Sequence, residues 1–253
     1  MGVCAAYGQY KAYDDDWRAF YPSGGGNDRT QWQRHLTSSG SLTVGGVTGP
    51  IGNTATSYNA AGQGSGQKSF TATQFDDIDP QSVMLVSVNR VNSPNVFKQA
   101  GHISVRRASD NSSVVLAHAP DPMPGRLYVF DNSGAYLTAT QSITQNVGTW
   151  YHQAGFNSGS TLRQLWVGGT GDEATNGSAI APTDVNQVVI GSRVNAVSNS
   201  WEFVGDLTLM QIHDSIRSLT DNWADYQNAM LDQVTFWDSA WTWTAQVSSL
   251  PQP

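Results

Sequence analysis

The sequence predicts an all-β protein built as an antiparallel sandwich or barrel, and three observations point that way. Glycine occurs 25 times in 253 residues while charged residues make up only 13%, well short of the usual quarter or so, which leaves little material for charged helices. Short runs of β-branched and aromatic residues recur along the middle of the chain. Clusters of Pro, Asp, Asn, Ser and Gly separate them, as in chains that fold by strand and turn.

Taken in order, residues 1–50 read as an N-terminal arm or accessory segment. Tyr7, Tyr10, Tyr13, Trp17, Phe20 and Tyr21 follow no clean period there, and a breaker cluster at 22–27 closes the stretch. Asp14, Asp15 and Asp16 read as a solvated turn. Residues 82–88 form an apolar, β-branched run expected for a central strand buried on both faces. Residues 102–106 alternate, 113–118 make a further strand, and the proline-rich turn 120–124 follows. Strands at 126–130 and 135–139 flank a turn at 131–134. A short helix is predicted near the end, with Thr220 as cap and Trp223, Tyr226 and Met230 on one face. Beyond it Trp241 and Trp243 alternate, and a polar tail follows. The expected organisation is an arm over 1–50, a sandwich domain over 51–232 and a C-terminal arm over 233–253.

Five elements from 148 to 226 carry a family resemblance. They are Gly148-Thr-Trp150-Tyr-His152, a strand from Leu162 ending in Gly168-Gly169, the pair Ile190-Gly191, the strand Phe203-Val-Gly205, and the helix with Trp223 and Tyr226. In order and spacing this stretch resembles the laminin G-like branch of the concanavalin A-like lectin/glucanase superfamily. The resemblance implies an antiparallel jelly-roll sandwich with one short C-terminal helix and terminal arms outside it. On the residues themselves, alternation places Trp150 and His152 on one strand face. Gly168-Gly169 suits a tight hairpin, and Gly205 invites a bulge or a close strand approach.

Catalysis is not expected. Superfamily members that cleave β-glucans carry Glu-x-Asp-x-x-Glu on one strand, which sets acid and nucleophile about 5 Å apart. This chain has two glutamates, Glu173 and Glu202, far apart in sequence. His35, His102, His118, His152 and His213 lack metal-site spacing and read as structural. Gly62, Gly64 and Gly66 lack the lysine of a phosphate loop, and the single cysteine, Cys4, allows no internal disulfide. A net charge of −7 with no basic stripe argues against nucleic acid. No apolar run approaches the ~20 residues that cross a bilayer, and no basic-then-apolar leader opens the sequence. Many superfamily members hold calcium at the sandwich rim. Asp76, Asp77, Asp79, Asp131 and Asp172 are the available carboxylates, and they form no complete ligand set. No cofactor is therefore expected, with calcium left open.

Two functions fit. The first is a non-enzymatic structural protein, a bacteriophage capsid decoration (cement) or head/tail accessory protein. Laminin G-like proteins are frequent among virion components, and aromatic arms are apt interface anchors. Tyr10, Tyr13, Trp17, Phe20, Trp237, Trp241 and Trp243 would then hold the major capsid protein or another virion protein. The protein would be a homo-oligomer, assembled in the host cytoplasm and located on the virion. The alternative is an extracellular, lectin-like domain that binds glycans, with or without calcium, through a rim aromatic such as Trp201.

Overall fold

The computed structural model describes residues 17–28, 30, 33–39, 42–50, 54–58, 69–72, 74–93, 99–120, 122–159, 162–167, 170–172, 180–193 and 201–214. Fifteen strands run through them. They are β1 (Trp17–Tyr21), β2 (Thr37–Ser39), β3 (Thr43–Thr48), β4 (Thr54–Tyr58), β5 (Ser69–Ala72), β6 (Ser82–Val91), β7 (Ala100–Arg106) and β8 (Ser113–His118). After them come β9 (Pro124–Phe130), β10 (Tyr136–Thr144), β11 (Trp150–Ser158), β12 (Leu162–Val167), β13 (Thr170–Asp172), β14 (Gln187–Ile190) and β15 (Gly205–His213). They form two antiparallel sheets. One is ordered β13-β12-β11-β6-β15-β4-β3, with β1 also on β15, and the other is ordered β10-β9-β8-β7-β14-β5-β2. The fold is an all-β jelly-roll sandwich.

The central strand expected at 82–88 is β6, flanked by β11 and β15. Its inward residues Val83, Leu85 and Val91 face Ile103, Val105, Val114, Leu116, Leu127, Val129, Val188 and Ile190 of the other sheet. Each such side chain withdrawn from water contributes roughly 1.5–3 kcal/mol, and the alternation that places them is legible in every one of these strands. The turn expected at 131–134 is also present. Gly134 N–H donates to Asp131 O at 3.2 Å, and Asp131 Oδ1 accepts from the backbone of Ser133 and Ala135. Gly205 sits where strands crowd, because a Cβ there would lie 2.1 Å from Arg90 O.

The expected boundary at residue 50 does not hold. Residues 17–50 are part of the sandwich, since β1 pairs with β15, β2 with β5, and β3 with β4. The partner of β1 lies about 190 residues away in sequence, which a local pattern cannot show. Phe20, proposed as an interface anchor, is buried with Val88 and Leu209 in the chain's own interior. Trp17 begins β1 opposite His213. Tyr10, Tyr13, Trp237, Trp241 and Trp243, the helix expected near Trp223 and the C-terminal arm from 233 lie outside the described residues.

Asp28 organises this N-terminal part. Its Oδ1 accepts from the N–H of Phe20 and of Thr30, each at 2.9 Å, and its Oδ2 from Thr30 Oγ1 and the N–H of Arg34, each at 2.8 Å. The residue is buried, so its removal would strand several donors away from water. Asp28→Ala is expected to destabilise the fold by about 3–5 kcal/mol, read as a lower urea midpoint with an unchanged m-value. A loss below 1 kcal/mol would mean that water replaces the carboxylate at no cost.

A polar thread crosses the core between the sheets. Ser87 Oγ lies 3.0 Å from His102 Nδ1, and His102 Nε2 lies 2.9 Å from His118 Nδ1. The Phe203 ring packs edge-on against both imidazoles. Burial, and for His102 the neighbouring His118, push these pKa values down, that of His118 to about 4. Both rings are therefore neutral at pH 7, and one can donate to the other. His152 and His213, on the far side of β11 and β15, are also buried, which lowers each pKa to about 3.

Candidate functional site

The outer face of the β10-β9-β8-β7-β14 sheet carries an aromatic cluster in which Tyr136 is exposed, Trp201 half-buried, and Tyr128 and Phe130 buried. Strand register builds it. Because Leu127 and Val129 of β9 point into the core, Arg126, Tyr128 and Phe130 point outward. Across the sheet, Gln187, Arg106, Ser113, Phe130 and Tyr136 form one row of paired residues, and Val189, Ser104, Val115, Tyr128 and Thr138 form the next. The floor of the face is thus small and apolar near β8, where Val115 and Ala117 pack under Tyr128 and Phe130. It rises to aromatic rings toward β10.

Trp201 closes over this floor. Its ring meets Tyr128 edge-on at 4.7 Å and Phe130 at 5.6 Å between centroids. Tyr136 packs on the other flank of the same two rings, 5.1 Å from Phe130 and 5.9 Å from Tyr128, and is 54% exposed. A backbone bond from Gly101 N–H to Trp201 O, 2.9 Å, fixes the tryptophan over the sheet. Gly101 is required there for close approach: a Cβ would fall 2.9 Å from Ser192 C and 3.1 Å from Arg193 N. That approach brings Arg193 onto the face.

Arg193 stacks on the aromatic floor, its guanidinium carbon 3.5 Å from the Phe130 ring centroid and 4.9 Å from that of Trp201. Burial first, and then repulsion by Arg106, lower its pKa to about 10, so it stays charged at neutral pH. Arg106 itself is tied to the carbonyls of Arg107 and Ala108. At the opposite end of the face Arg126 donates to the Tyr128 hydroxyl at 2.8 Å. The whole is an aromatic platform with cationic edges, suited to stack on a flat apolar ring face and to donate hydrogen bonds at its margin.

Of the residues singled out in the sequence, Trp201 is in this cluster, half-buried and packed, with Tyr136 as its more exposed neighbour. Tyr128, Phe130, Tyr136 and Arg193 were missed as site residues. The outward alternation of aromatics in 126–130 was a usable signal for the first two. The calcium candidates do not converge. Asp77 is held by Arg34 at 2.6 Å and Arg18 at 3.4 Å. Asp79 accepts from Gln81 N–H, Asp131 is spent in its turn, and Asp76 is exposed. The side chain of Asp172 and all of Glu173 lie outside the described residues, among which no three metal-ligating side chains gather.

No protein-family model matches the chain, and no curated protein does. Solved structures do match in shape. Domain 4 of AbnA, a GH43 extracellular arabinanase from Geobacillus stearothermophilus, in complex with arabinotriose, superposes with a TM-score of 0.58 at 11% identity, over 88% of this chain and 98% of that one. The receptor-binding domain of botulinum neurotoxin type G gives 0.57 at 12% identity, over 84% of this chain and 51% of that one. The serotype D binding domain gives 0.57 at 11%, over 85% and 52%. The chain thus spans about half the length of the neurotoxin domains. What it shares with all three is the β-sandwich fold.

Proposed function

We propose that the protein is a non-catalytic carbohydrate-binding sandwich domain that uses the Tyr136–Trp201 platform as its ligand face. The observation that carries this reading is the Tyr136 ring, largely open to solvent while packed on Phe130 and Tyr128. An aromatic ring left exposed on a rigid β surface is a ready stacking partner for the C–H face of a sugar. The arabinanase domain of like fold was solved with an arabinose oligosaccharide, which supports the choice of ligand class. Binding without hydrolysis is supported by four of the aspartates, since Asp28, Asp77, Asp131 and Asp206 are each engaged by arginines, backbone N–H groups or side-chain amides.

The test is a glycan array followed by calorimetry on the best ligand. Tyr136→Ala and Trp201→Ala should each weaken binding about tenfold or more, equivalent to about 1.4 kcal/mol. Tyr136→Ala should leave the urea midpoint nearly unchanged, because the ring is mostly outside. A chelator should not alter affinity. Absence of binding to any glycan, or binding indifferent to both substitutions, would overturn the reading. Attention would then pass to virion assembly, the capsid-decoration role, which rests on Tyr10, Tyr13, Trp237, Trp241 and Trp243. It would be tested by particle attachment after removal of 1–16 and 233–253.

A further inference from the structure

Arg193 is the residue of the platform that the other described residues do not explain. It is 6% exposed, and its Nε–H is buried without an acceptor. None of the ion pairs among the described residues includes it. Its contacts are the faces of Phe130 and Trp201. With its guanidinium carbon 3.5 Å from a ring centroid, the group is packed against carbon and its Nε–H meets no acceptor. Arg106 nearby adds positive charge and not a counter-ion. A buried cation with an unused donor and no ion-paired carboxylate among the described residues is costly in the free protein. An oxyanion at that edge would recover much of the cost. The side of a guanidinium that includes Nε offers two parallel donors, the spacing that a carboxylate matches with two hydrogen bonds.

We propose that the platform selects acidic sugars: the carboxylate of a uronic or sialic acid residue pairs with the Nε edge of Arg193 while a neighbouring sugar ring stacks on Tyr136. This rests on the carbohydrate-binding reading and names the ligand class within it. The ring cluster sets the binding surface, and the arginine sets the charge requirement. A neutral sugar would stack on the same rings but leave the buried donor unmet, so discrimination falls on one residue.

The experiment compares matched pairs by calorimetry with the full chain: 3′-sialyllactose against lactose, trigalacturonic acid against galactotriose, and 3′-sulfated lactose against lactose. At least one carboxylate sugar should bind tenfold or more tighter than its neutral match, and the advantage should shrink as salt is raised. Arg193→Gln should abolish the advantage, costing the acidic sugar at least tenfold more affinity than its neutral match, and Arg193→Lys should restore it only in part, because a lysine lacks the planar fork. If Arg193→Gln lowers the melting temperature sharply, the salt dependence of the wild-type protein decides in its place. Equal binding of acidic and neutral partners would overturn the inference and leave the carbohydrate reading standing. Preference for the sulfate ester alone would overturn the carboxylate assignment. Binding of no sugar from either set would fail the carbohydrate reading itself.

Discussion

Replacing Gly191 by alanine should destabilise this fold by about 3–5 kcal/mol, a large share of the roughly 5–15 kcal/mol that ordinarily holds a domain folded. Two separate effects add. The residue has φ +77, a conformation that costs an L-residue about 1 kcal/mol or more. Independently, the new Cβ would fall 2.1 and 2.2 Å from two atoms of the Tyr58 ring. That ring is fully buried, its hydroxyl donates to Gly24 O at 2.8 Å, and Phe203 packs edge-on against it, so it has nowhere to retreat. Gly191 also donates its N–H to His102 O and accepts from Phe203 N–H, both at 2.8 Å. Strain there would reach the platform through Arg193, two residues on. Gly148→Ala is the control: its φ is +79, yet nothing lies within 4 Å of a Cβ, so only the conformational cost of about 1 kcal/mol applies. Urea unfolding of both variants checks the difference. Adding Tyr58→Ala should relieve much of the Gly191→Ala penalty in a double-mutant cycle. Equal effects at positions 191 and 148 would show that the ring yields.

Acid should unfold the protein well above the pH at which most carboxylates lose their charge. Four buried histidines, His102, His118, His152 and His213, have pKa values lowered by burial, with His118 at about 4 and His152 and His213 at about 3. In the unfolded chain each takes a proton near pH 6.5, while in the fold it does not. Between those values the unfolded state therefore binds more protons, and stability falls as pH falls. It is complete above about pH 6.5 and is lost progressively below it. From pH 7 to 5.5 each such group should cost about 1.3 kcal/mol, and the four together about 5 kcal/mol. Urea midpoints at pH 7 and 5.5 measure this in a window where few carboxylates titrate. His118→Gln, which keeps a partner for His102 but removes one titrating ring, should flatten the dependence by about a quarter. Stability unchanged across the window would mean that the imidazoles are already protonated in the fold.

How much of this was visible beforehand differs by element. The strands expected at 82–88, 102–106, 113–118 and 126–130 were legible, and lie within β6, β7, β8 and β9, because each is locally self-consistent: β-branched residues alternate, and turn residues stand at the ends. Of the five histidines expected to be structural, His102, His118, His152 and His213 are buried. The role of residues 17–50 was not legible, since Tyr21 and Phe20 become core residues only when β1 pairs with β15. Asp28 follows the glycine-rich breaker at 22–27, and nothing local told that four donors would converge on it. Trp201 was noticed as a single residue, but the cluster around it was not.

The amino-acid sequence by itself determined the class: low charge, frequent glycine and period-2 alternation leave a chain that can bury its apolar side chains only by stacking sheets. It also determined that the glutamates stand too far apart in the chain for paired-carboxylate catalysis on one strand. Only the tertiary structure decided which side of each sheet became a surface. Alternation assigns residues to two faces without saying which faces the core, and that choice is made by partners distant in sequence. For the same reason Arg193 acquires its meaning from Phe130, Trp201 and Gly101, three residues of other segments that no reading of its own neighbours could supply.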